Sequence, residues 1–269
     1  MIRAAIRSPT LVVGAIILLL WIVCAVFGTR LAPFDPYAID LLATLAPPSS
    51  AHWFGTDQLG RDILSRIVVG ARDILVVAPV ATLLGTALGT ALGLSLGYFR
   101  GGFDDIASRV IEAMQALPLV IVALMALAAV GTSNLAVVAV IGFVFTPLIA
   151  RTVRAAVLLE SQLDYVSAAR LRGDGAVAIM FVEILPNVLP VILVEMTVRL
   201  GYAIFFVASL SFIGFGIQPP SADWGLAIAE NYSLIGSFWW TVIFDAAATA
   251  SLVVGVNLVA DGLQRVFDR

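Results

Sequence analysis

The stretch ILVVAPVATLLGTALGTALGLSLGY, residues 74–98, decides the fold class, because it holds no ionisable side chain except a terminal Tyr98. An α-helix rises about 1.5 Å per residue, so this run crosses a hydrocarbon layer about 30 Å thick with length to spare. Within it Gly85, Gly89, Gly93 and Gly97 recur at every fourth position. That spacing lines one helical face with hydrogen atoms, so that a neighbouring backbone can approach closely. The neighbour is either another helix of the same chain or a helix of a partner subunit; in both cases the stripe is a packing face.

Working outward, five further apolar stretches fall near residues 11–27, 106–130, 135–150, 188–213 and 238–260. Over the 269 residues, 61% are hydrophobic and 12% charged, with a mean hydropathy of +1.05. Soluble domains carry about 45–50% apolar and about 25% charged residues, so lipid must be the solvent for most of this chain. The expectation is an all-α integral membrane protein with six transmembrane helices and both termini cytoplasmic. Arg placement sets the orientation. Arg3, Arg7, Arg100, Arg109, Arg151, Arg154, Arg170, Arg172, Arg265 and Arg269 fall on the cytoplasmic side of this scheme. Arg30, Arg61, Arg66 and Arg72 share one long outer loop. Residues 1–73 read as an uncleaved anchor helix plus an extracytoplasmic loop, and residues 74–269 as a five-helix core with a long cytoplasmic loop at about 151–187.

Several chemistries are excluded. All fifteen basic residues are Arg, and a Walker-type phosphate loop needs a Lys to reach the β/γ-phosphates. The single His52 and single Cys24 preclude a two-His zinc site, an internal disulfide and a CxxC pair. Cys24 reads as a buried structural thiol, and a net charge of −3 offers no basic face for nucleic acid. No cofactor or metal is expected in this chain, and no catalysis.

Three constellations remain. Residues 52–72, HWFGTDQLGRDILSRIVVGAR, place Ile63, Leu64, Ile67 and Val68 on one helical stripe opposite Arg61, Asp62, Ser65 and Arg66. This reads as an amphipathic helix lying at the outer interface, with a solvated polar face or one that meets an extracytoplasmic partner. In the fifth span Glu195 and Arg199 stand four residues apart, each offsetting part of the other's cost in hydrocarbon. They either line a translocation path or brace the bundle interior, and Asp245 poses a weaker form of the same question. Glu112, three residues after Arg109, reads as its internal partner. In the outer turn, Trp224, Tyr232, Trp239 and Trp240 suit the headgroup level.

The cytoplasmic loop contains DYVSAARLRGDGAVAIMFVEILPN, residues 164–187. Asp164 suits the N-cap of a short helix over Tyr165, Ala168, Ala169, Arg170 and Leu171, and Gly173 sits where a glycine would end it. A second amphipathic stretch, 176–185, is closed by Pro186. Ala168 and Ala169 on its surface give the short helix little bulk, which suits a protein groove. A self-packed helical hairpin fits the pattern equally well.

This segment resembles the EAA loop of binding-protein-dependent ABC importer permeases. Ala168, Ala169, Gly173, Leu185 and Pro186 occupy the pattern's positions, with Ser167 in place of the Glu that names the loop. The segments 52–72, 97–105 and 210–225 resemble the peptide/nickel branch, and within it the second permease of dipeptide and oligopeptide systems. Together these cover nearly the whole chain. The resemblance implies a type I importer permease fold in the bacterial cell membrane. It also implies a heterodimer with a homologous sister permease, two cytoplasmic ATPase subunits or one fused ATPase, and an extracytoplasmic binding protein. ATP and Mg would belong to the ATPases, and Asp164, Tyr165, Ala168, Ala169, Arg170, Gly173 and Pro186 would form the coupling element. The cargo it implies is a di- or oligopeptide, with nickel or glutathione as alternatives.

Two other classes compete. A secondary transporter would show inverted repeats or ion-coordinating broken helices, which the sequence does not display. An intramembrane enzyme would need a Ser-Lys pair, a His or paired Asp within the spans, and Asp245 stands alone there.

Overall fold

The computed structural model describes residues 9–267; Arg3, Arg7 and Arg269, used above for orientation, lie outside them. Among the described residues, five helices are long and apolar enough to cross a membrane: α1 (Pro9–Leu31), α2 (Ile63–Phe99), α5 (Asn134–Glu160), α7 (Ala176–Ile213) and α9 (Trp240–Phe267). Between α2 and α5 stand α3 (Gly101–Gln115) and α4 (Leu119–Val130), bent 91° from each other. Short helices α6 (Asp164–Leu171) and α8 (Trp224–Asn231) lie at opposite ends of the bundle. The chain is thus an all-α, multi-spanning membrane protein.

The third expected span, 106–130, is therefore not one rod. Ala116 ends α3 and Pro118 opens α4. Proline has no N–H to donate and disfavours helical backbone in the residue before it, so Leu117 is turned out of the helix. Gln115, at the elbow, donates from Nε2 to the carbonyl of Pro147 on α5, at 3.2 Å.

The glycine stripe packs inside the chain, against α5. A Cβ at Gly89 would stand 2.7 Å from Ile149 Cβ, and one at Gly93 would stand 2.7 Å from the carbonyl of Ala150. Gly85 meets Gly142 and Phe145, and Gly97 meets Val157. Gly14, Gly255 and Gly262 perform the same service where α1 lies along α9. Small residues replace the hydrophobic effect here, which lipid does not supply between helices.

Helix α2 also corrects the reading of residues 63–72. They are the first turns of a 37-residue rod and not a separate helix in the interface. Asp62 caps that rod, its Oδ2 accepting from the N–H and hydroxyl of Ser65 at 2.8 and 2.7 Å. Asp62, Ser65 and Arg66 are buried, because protein partners and not water satisfy them.

Candidate coupling helix, outer network and membrane-level ion pair

Helix α6 is built to hold its shape while standing clear of the bundle. Leu163 occupies the N-cap position, and Asp164 is the first helical residue, one step later than expected, where its charge meets the positive end of the helix dipole. At the other end Gly173 has φ +86°. Its N–H bonds to the Arg170 carbonyl at 3.0 Å, and the Asp174 N–H reaches back to the Ala169 carbonyl at 3.2 Å. That pair of bonds is the Schellman arrangement, and glycine takes the left-handed conformation it requires without a Cβ penalty.

Side chains then lock the element to its surroundings. Arg172 pairs with Asp174 and with Glu183 of α7, both at 2.7 Å. The Tyr165 hydroxyl donates to Glu160 at 2.9 Å and accepts from Asn187 Nδ2 at 3.2 Å. Burial and the neighbouring Glu160 carboxylate push this phenol up to about 12. The Arg170 guanidinium lies 5.2 Å from the centre of the Tyr98 ring. Val166 and Ala169 are fully buried beneath the helix, so the expectation that both alanines face outward holds for Ala168 alone. The outward face is Asp164, Ser167, Ala168 and Leu171, at i, i+3, i+4 and i+7. Leu171, the last residue of the helix, is 90% exposed.

Pro186 does not close the second stretch. Helix α7 runs from Ala176 through Pro186 and Pro190 to Ile213, with a π-helical turn at Ile179–Ile184 just ahead of the first proline. A π turn widens the ladder where the proline ring would otherwise strike the carbonyl four residues back.

At the opposite end, Asp57, Arg61, Asp62 and Arg66 are buried in a network of polar contacts. Arg61 joins Asp57 at 2.6 Å and Glu230 of α8 at 2.5 Å. Arg66 lies 3.8 Å from Asp57 and 3.7 Å from Glu230, and donates to the Ser221 carbonyl at 3.3 Å. His52 Nδ1 sits 2.9 Å from Asp62. Asp245 of α9 is buried, and its Oδ1 has no hydrogen-bond partner among the described residues. Trp224 and Trp240 belong to this core and not to a headgroup belt: Trp224 donates to the Ile67 carbonyl at 3.0 Å and Trp240 to the Thr56 carbonyl at 3.3 Å. Tyr232 and Trp239 remain exposed. An aromatic N–H that finds a partner can be buried whole, and local sequence does not disclose the partner.

Within the membrane-level part of α7, Glu195 and Arg199 form an i,i+4 ion pair at 2.6 Å, with side chains 13% and 20% exposed. Arg199 also lies 5.6 Å from the Tyr202 ring centre. Near the other membrane face Arg154 of α5 pairs with Asp104 of α3 at 2.5 Å; no ion pair joins Arg109 to Glu112, the pairing the sequence suggested.

Residues 89–269 match the family of binding-protein-dependent transport system inner membrane components. The chain belongs to that family. Residues 1–48 match the N-terminal TM domain of oligopeptide transport permease C. The dipeptide transport system permease protein DppC of Escherichia coli K12 is 39% identical over 268 residues, covering 97% of this permease and 89% of the relative. The probable D,D-dipeptide transport system permease protein DdpC of the same strain is 36% identical over 261 residues, covering 97% and 88%. The di/tripeptide transport system permease protein DppC of Pseudomonas aeruginosa is 35% identical, covering 95% and 86%. Among solved structures, an inward-facing MetNI methionine ABC transporter chain superposes with a TM-score of 0.63 at 22% identity. It covers 77% of this permease and 98% of that chain, and shows the fold. This permease is therefore a membrane-spanning, non-catalytic subunit of an ATP-binding-cassette importer in the bacterial inner membrane. The importer architecture of sister permease, ATPases and binding protein is implied by its relatives.

Proposed function

We propose that this permease carries short peptides and is driven by ATPases seated on the outward face of α6. The peptide assignment rests on relatives named for dipeptide or di/tripeptide transport that match 95–97% of the chain. The coupling assignment rests on one observation: a capped, ion-paired helix holds Leu171 almost wholly in solvent at the end of the bundle. An exposed leucine on a rigid mount has little to gain from water, but it fills an apolar groove on a partner. With no Lys in the chain, the energy for transport arrives through such a contact. The sister permease completes a heterodimer, and a binding protein delivers peptide at the end that carries the Arg61–Glu230 network.

Leu171→Asp tests the contact without touching any buried position, and Gly173→Val tests the helix stop, where nothing lies within 4 Å of an added Cβ but the backbone resists it. Both variants should fold, pair with the sister permease, lose co-purified ATPase and lose uptake. Normal uptake by Leu171→Asp with ATPases bound overturns the coupling assignment. Radiolabelled dipeptide and nickel uptake in a strain lacking the gene tests the cargo; restored nickel entry without dipeptide entry overturns the peptide reading.

A further inference from the structure

Helices α7 and α9 diverge along a groove. Its part towards α8 is a cavity of about 680 Å³ with an apolar lining that includes Phe205, Phe212 and Val254. Further along, towards the end that carries α6, the groove becomes a cavity of about 370 Å³ bordered by Gly201, Tyr202, Asn257 and Asp261. The two share Phe205 and Val253. Neither Asn257 nor Asp261 makes a hydrogen bond or ion pair with its side chain among the described residues, and both are exposed. Gly201 lets Asn257 pack directly on the α7 backbone: a Cβ there would stand 2.8 Å from the Asn257 amide oxygen. Tyr202 links the cavity to the Glu195–Arg199 pair, since Arg199 lies against its ring. Among the described residues, Arg199 has Glu195 Oε1 as its only carboxylate partner.

One carboxylate, one amide and one phenol thus border a cavity of small-molecule size at the α6 end of the groove, with the Arg199 guanidinium against the phenol ring. The interior of the bundle does not enclose Asn257 and Asp261, which are left for a ligand to satisfy. Resting on the peptide reading above, we propose that Arg199, Tyr202, Asn257 and Asp261 form a recognition station for the charged ends of a zwitterionic peptide in transit. Arg199 receives the α-carboxylate, its guanidinium either leaving Glu195 or bridging the two carboxylates, and Asp261 receives the α-ammonium. A guanidinium matches a carboxylate in a planar two-pronged fit, which makes it selective for a free C-terminus over an amide.

The test uses the complete transporter reconstituted with its binding protein and ATPases. Uptake of a dipeptide is compared with uptake of its C-terminal amide and of its N-acetyl form, at saturating binding protein. Arg199→Gln should reduce the preference for the free carboxylate over the amide by roughly tenfold or more, as loss of a charge-assisted hydrogen bond does. Asp261→Asn, which removes a charge with no partner among the described residues, should erode the preference for the free amine over the acetyl form. In a Cys24→Ala background, Tyr202→Cys should react with a charged methanethiosulfonate, more slowly while dipeptide is being transported. Unchanged preferences in both variants, or a Tyr202→Cys that no charged reagent reaches, overturn the station and leave peptide import standing. A wild-type transporter that takes up no peptide overturns the peptide reading itself, and the station with it.

Discussion

Replacing Gly89 with Ala puts one carbon into the α2–α5 contact. The added Cβ would lie 2.7 Å from Ile149 Cβ and 2.9 Å from both Ile149 Cγ2 and the Thr146 carbonyl oxygen. Non-bonded carbons rest at about 3.5–4.0 Å, so the helices must part by roughly 1 Å. A gap of that size forfeits about a quarter to a half of the dispersion energy of each contact it opens. Gly85, Gly93 and Gly97 share the same face, so the loss spreads along it and should reach on the order of 2–3 kcal/mol, towards the upper part of the overpacking range. Alanine's better helix propensity returns about 1 kcal/mol, leaving a net destabilisation of about 1–2 kcal/mol. Gly102→Ala in α3 is the control, because nothing lies within 4 Å of its Cβ; it should be neutral or stabilising by up to about 1 kcal/mol. Cys24, the sole cysteine of the chain and buried in α1, supplies the readout. A thiol-reactive dye reports its exposure on heating the detergent-purified complex with cysteine-free partners. Equal melting of Gly89→Ala and Gly102→Ala would refute the close-packing account.

Arg66→Met should cost about 1–3 kcal/mol, since the Ser221 carbonyl loses its charged donor while Asp57 and Glu230 keep Arg61; an unshifted melting curve would show the Arg66 contacts to be dispensable. Burial raises the Asp223 carboxyl to about 6 from its ordinary 3.8, against the pull of its bond from the Leu226 N–H. The folded state therefore holds this proton more tightly than the unfolded one. Stability from this group should fall as pH rises from about 4 to about 6 and level off above. Asp223→Asn keeps a capping side chain and should flatten that slope, which unfolding measured across this pH range will show. Single cysteines at the exposed Ser50 and Ser237, in a Cys24→Ala background, should react with an impermeant maleimide on intact cells. Labelling only after lysis would reverse the topology. Position 221, though in the same outer turn, is unsuitable, because its hydroxyl is buried against Asp73 at 2.5 Å.

Local chemistry was readable where it repeats or terminates something. The Gly85–Gly97 spacing and the Gly173 stop need only a helix to have meaning, and the apolar runs announce spans by length alone. The elbow at 116–118 is hidden from hydropathy, although Pro118 marks it, because an average over 106–130 passes smoothly across a proline. The Arg61–Glu230 pair joins residues 169 positions apart. Nothing near Arg61 announces Glu230, so a charged stripe looked like a solvated one. Ala169 illustrates a question of phase. Two consecutive alanines stand 100° apart on a helix, and composition does not say which of them turns inward. Asn257 and Asp261, polar and four apart at the end of an apolar span, carry a weaker signal than Glu195 and Arg199, because they bear no opposite charges.

Helix α2 has a mechanical consequence. It is one rod of 37 residues, about 55 Å long, and it touches α5 through its glycine face in the half nearer Phe99. Taking the contact at Gly89 as a fulcrum, the arm to Ile63 is about 39 Å and the arm to Phe99 about 15 Å. A tilt of roughly 10° would carry Ile63 about 7 Å while moving Phe99 less than about 3 Å. Asp57, Arg61 and Glu230 are clamped to the long arm and would travel with it as a block, whereas the Tyr98–Arg170 contact sits at the end of the short one. A small displacement delivered beside α6 is thus magnified more than twofold at the opposite membrane face.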